Sequence, residues 1–401
     1  MAAGRSAPER VGFVIPRYGA GIVGGAEMLT RGLAEHLAAS GTAVEVLTTC
    51  ARDHLTWQNV HPPGVSVEQG VLVRRFPVKR RNTYAFAWLH QRILRGGRLR
   101  IEDELRWAEE SVSSPELYAH LVANRHRYDL VCFAPYLFGT TLWGVHLVPE
   151  RAVLIPCLHD EPFARLAIVQ ATFEACRGLI FNSPPEAALA RQLYRLDGHP
   201  FGVVGLGFDP SSPADARVVE AFRRRHRLEG PILLYLGRKE QGKNVHLLIE
   251  YCRRFRATHR ADFTLVLAGD GPVSVPRATE GVRDLGYLAP EDKAAAYAAA
   301  TVVCQPSRNE SFSIVLMEAW LAGTPVLVHA RCPVTTHHVF AAEGGLAFGD
   351  FYEFAEALGR LLEDEPLRRS LAARGRAYVE HEYAWPAVTA RLRATLERLS
   401  A

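Results

Sequence analysis

Along the whole chain, short apolar, β-rich runs alternate with longer amphipathic stretches, as an α/β chain with parallel sheets requires. In the first half, strands are predicted at 11–16, 43–49, 128–134, 151–157 and 178–183, with helices near 25–39, 115–126, 163–175 and 184–194. In the second half, strands fall at 231–237, 263–268, 301–305 and 324–329, with helices near 243–258, 290–299, 313–322, 351–363 and 366–381. Each half therefore reads as its own doubly wound unit, and 401 residues are enough for two cores. The Gly-, Pro- and Ser-rich run GVVGLGFDPSSPAD (202–215) has no helical period and places the boundary near residue 208. The expected domains are 1–207, 208–383 and a C-terminal helix over 384–401 that packs back on the first domain.

Composition narrows the function classes. A net charge of +4 is too mild to argue for nucleic acid. Only Lys79, Lys239, Lys243 and Lys293 are lysines, so a lysine in a loop carries more weight than usual. Seven scattered cysteines without a Cys-x-x-Cys pair argue against a disulfide framework or zinc ribbon and suggest a reducing, cytoplasmic setting. The N-terminal MAAGRSAPER lacks the apolar stretch of a signal peptide. Residues 130–149 are uncharged, but Pro135, Gly139 and Gly144 divide them into a buried strand and a helix rather than a membrane span. In KRRNTYAFAWLHQRILRGGRLR (79–100), arginines interleave with Tyr84, Phe86, Trp88 and Leu89. A solvated arginine face on an amphipathic helix is the preferred reading, and a peripheral contact with the inner membrane face is the other. The RRRHR run at 223–227 is likewise read as a solvated helix face.

Four loops carry candidate chemistry. RYGAGIVGGAE (17–27) follows a strand and opens a helix, so its glycines suit either a tight turn or close approach of an anion to the helix start. LLYLGRKEQGKN (233–244) places Gly237, Arg238 and Lys243 beyond a buried strand, where two cations suit a diphosphate. AGDGP (268–272) reads as a structural turn. PSRNESFSIVLMEAWLAGTPVLV (306–328) sets Glu310 in a polar turn and Glu318 on the following helix. Such carboxylates can accept hydrogen bonds from sugar and ribose hydroxyls, while free amides at the helix start can meet a phosphate.

Taken together, the Glu-x7-Glu pair Glu310/Glu318, GR…K at 237–243 and AGTPV at 322–326 resemble family 4 of the retaining glycosyltransferases, with the GT-B fold. The resemblance implies two Rossmann-like doubly wound domains facing each other across a cleft. By position, it implies that Arg238 and Lys243 hold the donor diphosphate, that Glu310 contacts the transferred sugar, and that Glu318 contacts the ribose. It further places Gly24 and Gly25, and less directly Glu27, near the donor phosphates and acceptor. Gly237, Ser311, Phe312, Ser313 and Ile314 complete the implied donor loops. His159 in IPCLHDEP (155–162), beside Asp160 and Glu161, is the histidine implied to face the donor sugar, and a structural loop histidine is the other reading. The chain departs from the family at Glu-Ser-Phe-Ser (310–313), where Glu-Gly-Phe-Gly is usual, and at ARCPVTTHHVFAAEGG (330–345), which lacks the usual glycine-rich loop.

The implied activity is transfer of a sugar from a nucleotide-diphosphate sugar to a hydroxyl acceptor (a glycan, a lipid-linked sugar or a small molecule) with retention. No cofactor or metal is expected, because no Asp-x-Asp stands at a strand end and two cations can serve the diphosphate. Expected catalytic residues are Glu310, His159, Arg238 and Lys243. The alternatives are a non-catalytic nucleotide-sugar binding subunit, a nucleotide-sugar epimerase, and a phosphorylase, the last disfavoured by the scarcity of lysines.

Overall fold

The computed structural model describes residues 8–22, 24–210, 214–273 and 280–401. The start of MAAGRSAPER, Val23 of the first glycine loop and residues 211–213 of the joining run lie outside them. The chain divides into two compact units: residues 1–207 with 385–401, and residues 208–384.

The first unit is built on an eight-stranded sheet in the order β3 (Gly64–Glu68), β4 (Val71–Phe76), β2 (Ala43–Thr49), β1 (Arg10–Val14), β5 (Leu130–Phe133), β6 (Ala152–Leu154), β7 (Gly178–Phe181), β8 (Phe201–Val203). Among the described residues, only the β3–β4 strand pair of this sheet is antiparallel. Its helices are α1 (Gly25–Ala39), α2 (Thr83–Leu94), α3 (Ile101–Glu110), α4 (Pro115–Asn124), α5 (Gly139–Leu147), α6 (Ala167–Ala175), α7 (Pro184–Leu193) and the C-terminal α15 (Trp385–Ser400). The uncharged run at 130–149 becomes buried β5 and then α5, and no described helix is long and apolar enough to cross a membrane.

The second unit carries a six-stranded, all-parallel sheet in the order β11 (Val282–Gly286), β10 (Thr264–Ala268), β9 (Ile232–Leu236), β12 (Val302–Gln305), β13 (Val326–His329), β14 (Gly345–Phe348). Its helices are α8 (Ala216–His226), α9 (Val245–His259), α10 (Pro290–Ala299), α11 (Ile314–Leu321), α12 (Pro333–Ala342), α13 (Phe351–Glu363) and α14 (Glu365–Glu382). The central strands are buried on both faces, which explains their unbroken apolar sequences. Against them Leu248, Phe255, Phe354 and Leu358 form a dry core, each burial stabilising by about 1.5–3 kcal/mol.

Helix α15 belongs to the first unit through specific packing. The Trp385 ring stacks on His36 at 3.7 Å and fills the space that a Cβ on Gly32 or Gly207 would need. Further along, the Arg391 guanidinium donates to the Val204 carbonyl at 3.0 Å and Arg393 to the Ser40 carbonyl at 3.1 Å.

Apart from the antiparallel β3–β4 hairpin, the strand order reverses once in each sheet: between β1 and β5 in the first unit, and between β9 and β12 in the second. Ligands of open α/β sheets bind at such switch points, beyond the carboxyl ends of the strands. The loops after β1, β9 and β12 therefore hold the favoured positions.

Candidate functional site

In the second unit the loops after β9 and β10 interlock. Gly237 has φ 148° and donates to the Ala268 carbonyl at 2.9 Å. A Cβ on Gly269 would collide with the Gly237 carbonyl, and one on Gly271 with the Lys239 backbone. AGDGP is thus needed for close loop packing. Lys239, 7% exposed, is bound to Asp284 at 2.6 Å and braces the same layer.

Arg238 and Lys243 are presented differently. Arg238 is exposed and reaches Glu240 at 3.0 Å, while its carbonyl accepts from the Tyr235 hydroxyl at 2.6 Å. Lys243 ends a short 3-10 turn (Gln241–Lys243) and turns inward, with Nζ 2.7 Å from Glu310 Oε1. Asn244 follows in the left-handed region (φ 55°) and donates from Nδ2 to the Pro306 carbonyl at 3.1 Å, tying this loop to the end of β12.

The signature carboxylates are each gripped by a lysine. Glu310, 10% exposed, accepts from Lys243 and from Gln305 Nε2 at 3.2 Å. Glu318 Oε1 meets Lys293 Nζ at 2.5 Å, and its Oε2 accepts from the Tyr297 hydroxyl at 2.8 Å. Burial and the adjacent Glu318 charge push the Tyr297 phenol well above its ordinary range, so it stays a donor. A carboxylate has about four lone-pair sites, so Glu318 retains acceptor capacity for a diol.

Between the two carboxylates, Phe312 points inward, edge-on to Tyr383 (5.0 Å) and His338 (5.2 Å). Its side chain anchors the turn, leaving main chain as its offering to a ligand. Ser313 precedes α11 with φ 69° and ψ 75°, a left-handed conformation suited to glycine. Gln305 Oε1, Ser307 Oγ and Ser313 Oγ are buried without hydrogen-bond partners among the described residues, a concentration of unmet polar groups at the end of β12. A shallow groove lined by Thr301, Pro325, Arg368 and Arg369 opens instead at the amino ends of β12 and β13, away from these side chains.

In the first unit, Gly24 and Gly25 lead into α1. Glu27 folds back over Gly24, occupying the place of a Cβ there, and pairs with Arg17. Arg17 is itself buried, donates to the Arg52 carbonyl at 3.3 Å and lies 5.6 Å from the Trp57 ring centre. After β6, half-buried His159 follows Cys157, which is left-handed at φ 52°. Neighbouring Asp160 pairs with Arg165 at 2.6 Å, and Glu161 accepts from the Tyr136 hydroxyl at 2.6 Å. The buried Glu186 fixes this loop: its two oxygens accept from the Leu158 and Asn182 amides, each at 2.6 Å. Burial raises the Glu186 carboxyl to about 8.

Sequence reasoning missed Lys293, Tyr297, Arg17 and Glu186. Two left a signal: Lys293 is one of four lysines, and Ser183 with Glu186 forms a capping-box pattern.

Residues 218–378 match the family described as Glycosyl transferases group 1. The chain is 29% identical to a D-inositol 3-phosphate glycosyltransferase of Acidothermus cellulolyticus, over 88% of this chain and 81% of that protein. Its fold is similar to that of sucrose-phosphate synthase from Thermosynechococcus elongatus (TM-score 0.72, 19% identity, 98% of this chain and 99% of that one). It is also similar to Anabaena HepE solved with UDP and glucose (TM-score 0.70, 17% identity, 97% and 100%). With two Rossmann-like parallel-sheet units and a group 1 match over most of the second, the chain is a glycosyltransferase of the GT-B fold.

Proposed function

We propose that the protein transfers a hexose from a nucleoside-diphosphate sugar to a hydroxyl acceptor, with retention of anomeric configuration and without a metal ion. The observation that carries this reading is the pair of lysine-held carboxylates, Glu310–Lys243 and Glu318–Lys293, in the element that follows β12 at the switch point of the second sheet. Glu318 would accept from the ribose diol and Glu310 from hydroxyls of the transferred sugar. The α11 start, with Ser311, Ser313 and Ile314, would offer main-chain amides to the diphosphate.

In the reaction, the acceptor oxygen bonds to the anomeric carbon as the bond from that carbon to the diphosphate oxygen breaks. The departing diphosphate takes the acceptor proton. Lys243 and Arg238 would stabilise the charge that grows on it, which is the work a metal would otherwise do. Retention rests on the family resemblance of the Glu-x7-Glu signature. His159 is assigned to the transferred sugar, and Gly24 and Gly25 to the donor phosphates and acceptor.

The solved relative carrying UDP and glucose makes UDP-glucose the first donor to assay, and the relatives' name makes D-inositol 3-phosphate the first acceptor. A thermal-shift screen across UDP-, GDP-, ADP- and TDP-sugars should reveal one that raises the melting temperature. With that donor, turnover should survive excess EDTA, and proton NMR should show a product anomer matching the donor. Complete loss of turnover restored by magnesium or manganese, or an inverted product, would contradict the proposal. A bound donor that is never turned over would leave a binding subunit.

A further inference from the structure

The outward face of α2 is unusual for a surface helix. Its inward face is accounted for: Leu89 and Ile93 are buried, and Phe86 leans on Trp107 at 6.3 Å. The opposite face of such a helix is ordinarily polar. Here it carries Tyr84 and Trp88 one turn apart, 89% and 59% exposed, and Leu94 on the flank of the helix is 46% exposed. Of the four apolar residues noted in this segment, two therefore point out and two point in.

The surrounding charge has one sign. From Lys79 to Arg100 there are seven lysines and arginines and no acidic residue. Arg92 lies over the Trp88 ring at 4.8 Å. The acids that face the segment come from α3: Asp103 approaches Arg92 (3.6 Å) and Arg100 (4.0 Å), and Glu109 pairs with Lys79 (2.6 Å). Glu110 accepts from the Asn82 amide, and Glu102 is exposed nearby. Arg80, Arg95 and Arg98 are exposed with no carboxylate in salt-bridge reach among the described residues.

We propose that this face docks the protein on an anionic lipid surface, with Tyr84, Trp88 and Leu94 entering the headgroup region and the arginines meeting lipid phosphates. A solvated arginine face gives no reason for an exposed Trp–Tyr pair. Aromatic side chains with a polar edge favour the membrane–water interface, and arginine stems extend along apolar surface to reach phosphate. Three apolar side chains give a weak, reversible attachment, so the arginines set its strength and its preference for anionic lipid. Each contributes about fivefold in affinity near a charged surface. The docking face lies in the first unit and does not depend on the proposed donor site.

The test is sedimentation of the intact protein with vesicles of phosphatidylcholine alone and with added phosphatidylglycerol. The protein should sediment with the anionic vesicles only, and high salt should release it. Replacing Arg95 and Arg98 together by glutamine should weaken binding about 25-fold. Tyr84→Ser with Trp88→Ser should weaken it too and abolish a vesicle-induced blue shift in tryptophan emission. Circular dichroism should match wild type for both variants, since all four side chains are exposed. Failure to sediment, equal binding to both vesicle types, or undiminished binding of either variant would overturn the proposal. Binding of a soluble polyphosphate without vesicle binding would assign the arginines to a soluble polyanion and overturn it equally.

Discussion

Replacing Ser313 by glycine should stabilise the second unit. Ser313 sits at φ 69°, ψ 75°, and an L-residue held in the left-handed region costs about 1–2 kcal/mol. Its buried hydroxyl has no partner among the described residues, and such a group costs about 1–3 kcal/mol. Against these gains, glycine frees the unfolded chain by about 0.5–1 kcal/mol. The balance favours Ser313→Gly by about 1 kcal/mol or more, which for a unit of this size raises the melting temperature by about 2–4 °C per kcal/mol. Scanning calorimetry on the intact chain would read the shift in the transition that nucleotide binding also moves. Ser311→Gly is the control, since Ser311 is not among the positive-φ residues and should lose about 0.5–1 kcal/mol. An unchanged or lowered midpoint for Ser313→Gly, or equal effects at both serines, would refute the left-handed turn.

Three further outcomes follow from the geometry. Lys293→Met removes the ion pair that orients Glu318; donor KM should rise about tenfold with little change in kcat, and an unchanged KM would detach Lys293 from donor binding. Glu186 is raised from 4.5 to about 8 in the folded protein, so between those values the native state holds the extra proton. Its contribution to stability is full below the unfolded value and declines as pH rises through about 8. Glu186→Gln should flatten that part of the denaturation-versus-pH profile, and parallel profiles would show that Glu186 does not titrate there. Trp385→Ala should destabilise the first unit by about 3–5 kcal/mol, measured by urea denaturation, and a loss below about 1 kcal/mol would mean that the α15 packing is not maintained in solution.

Strands buried on both faces, such as Ile232–Leu236 and Val326–His329, were legible because the sheet demands unbroken apolar runs there. Strand β4 was not, because Arg74 and Arg75 interrupt its pattern, and only the fold supplies their partners Glu45 and Glu68. Half-exposed β11 and short β8 gave equally weak patterns. Helix α12 buries Val334, Thr335, His338, Val339 and Ala342, and its apolar residues do not segregate to one face, so helical periodicity was absent. At the candidate site, the spacing of Glu310 and Glu318 could be read within one segment. What grips Glu318 could not, because Lys293 and Tyr297 arrive from a different helix. Ser313 stood out only as a departure from glycine, and its left-handed backbone gives that departure a physical meaning.

In the proposed reaction the two signature carboxylates serve different parts of one donor. Donor-saturation kinetics on Glu310→Gln and Glu318→Gln separate these roles, with nucleotide affinity read by calorimetry on the same samples. The ribose is unchanged along the reaction, so losing its contact should raise KM and weaken free nucleotide binding while kcat holds. The transferred sugar changes charge and shape, so losing its contact should lower kcat. Each charge-assisted hydrogen bond is worth about 1.5–3 kcal/mol, or roughly 10- to 150-fold. On this division of roles, kcat should fall by that factor for Glu310→Gln and donor KM should rise comparably for Glu318→Gln. Wild-type nucleotide affinity in Glu318→Gln, or full kcat in Glu310→Gln, would contradict it.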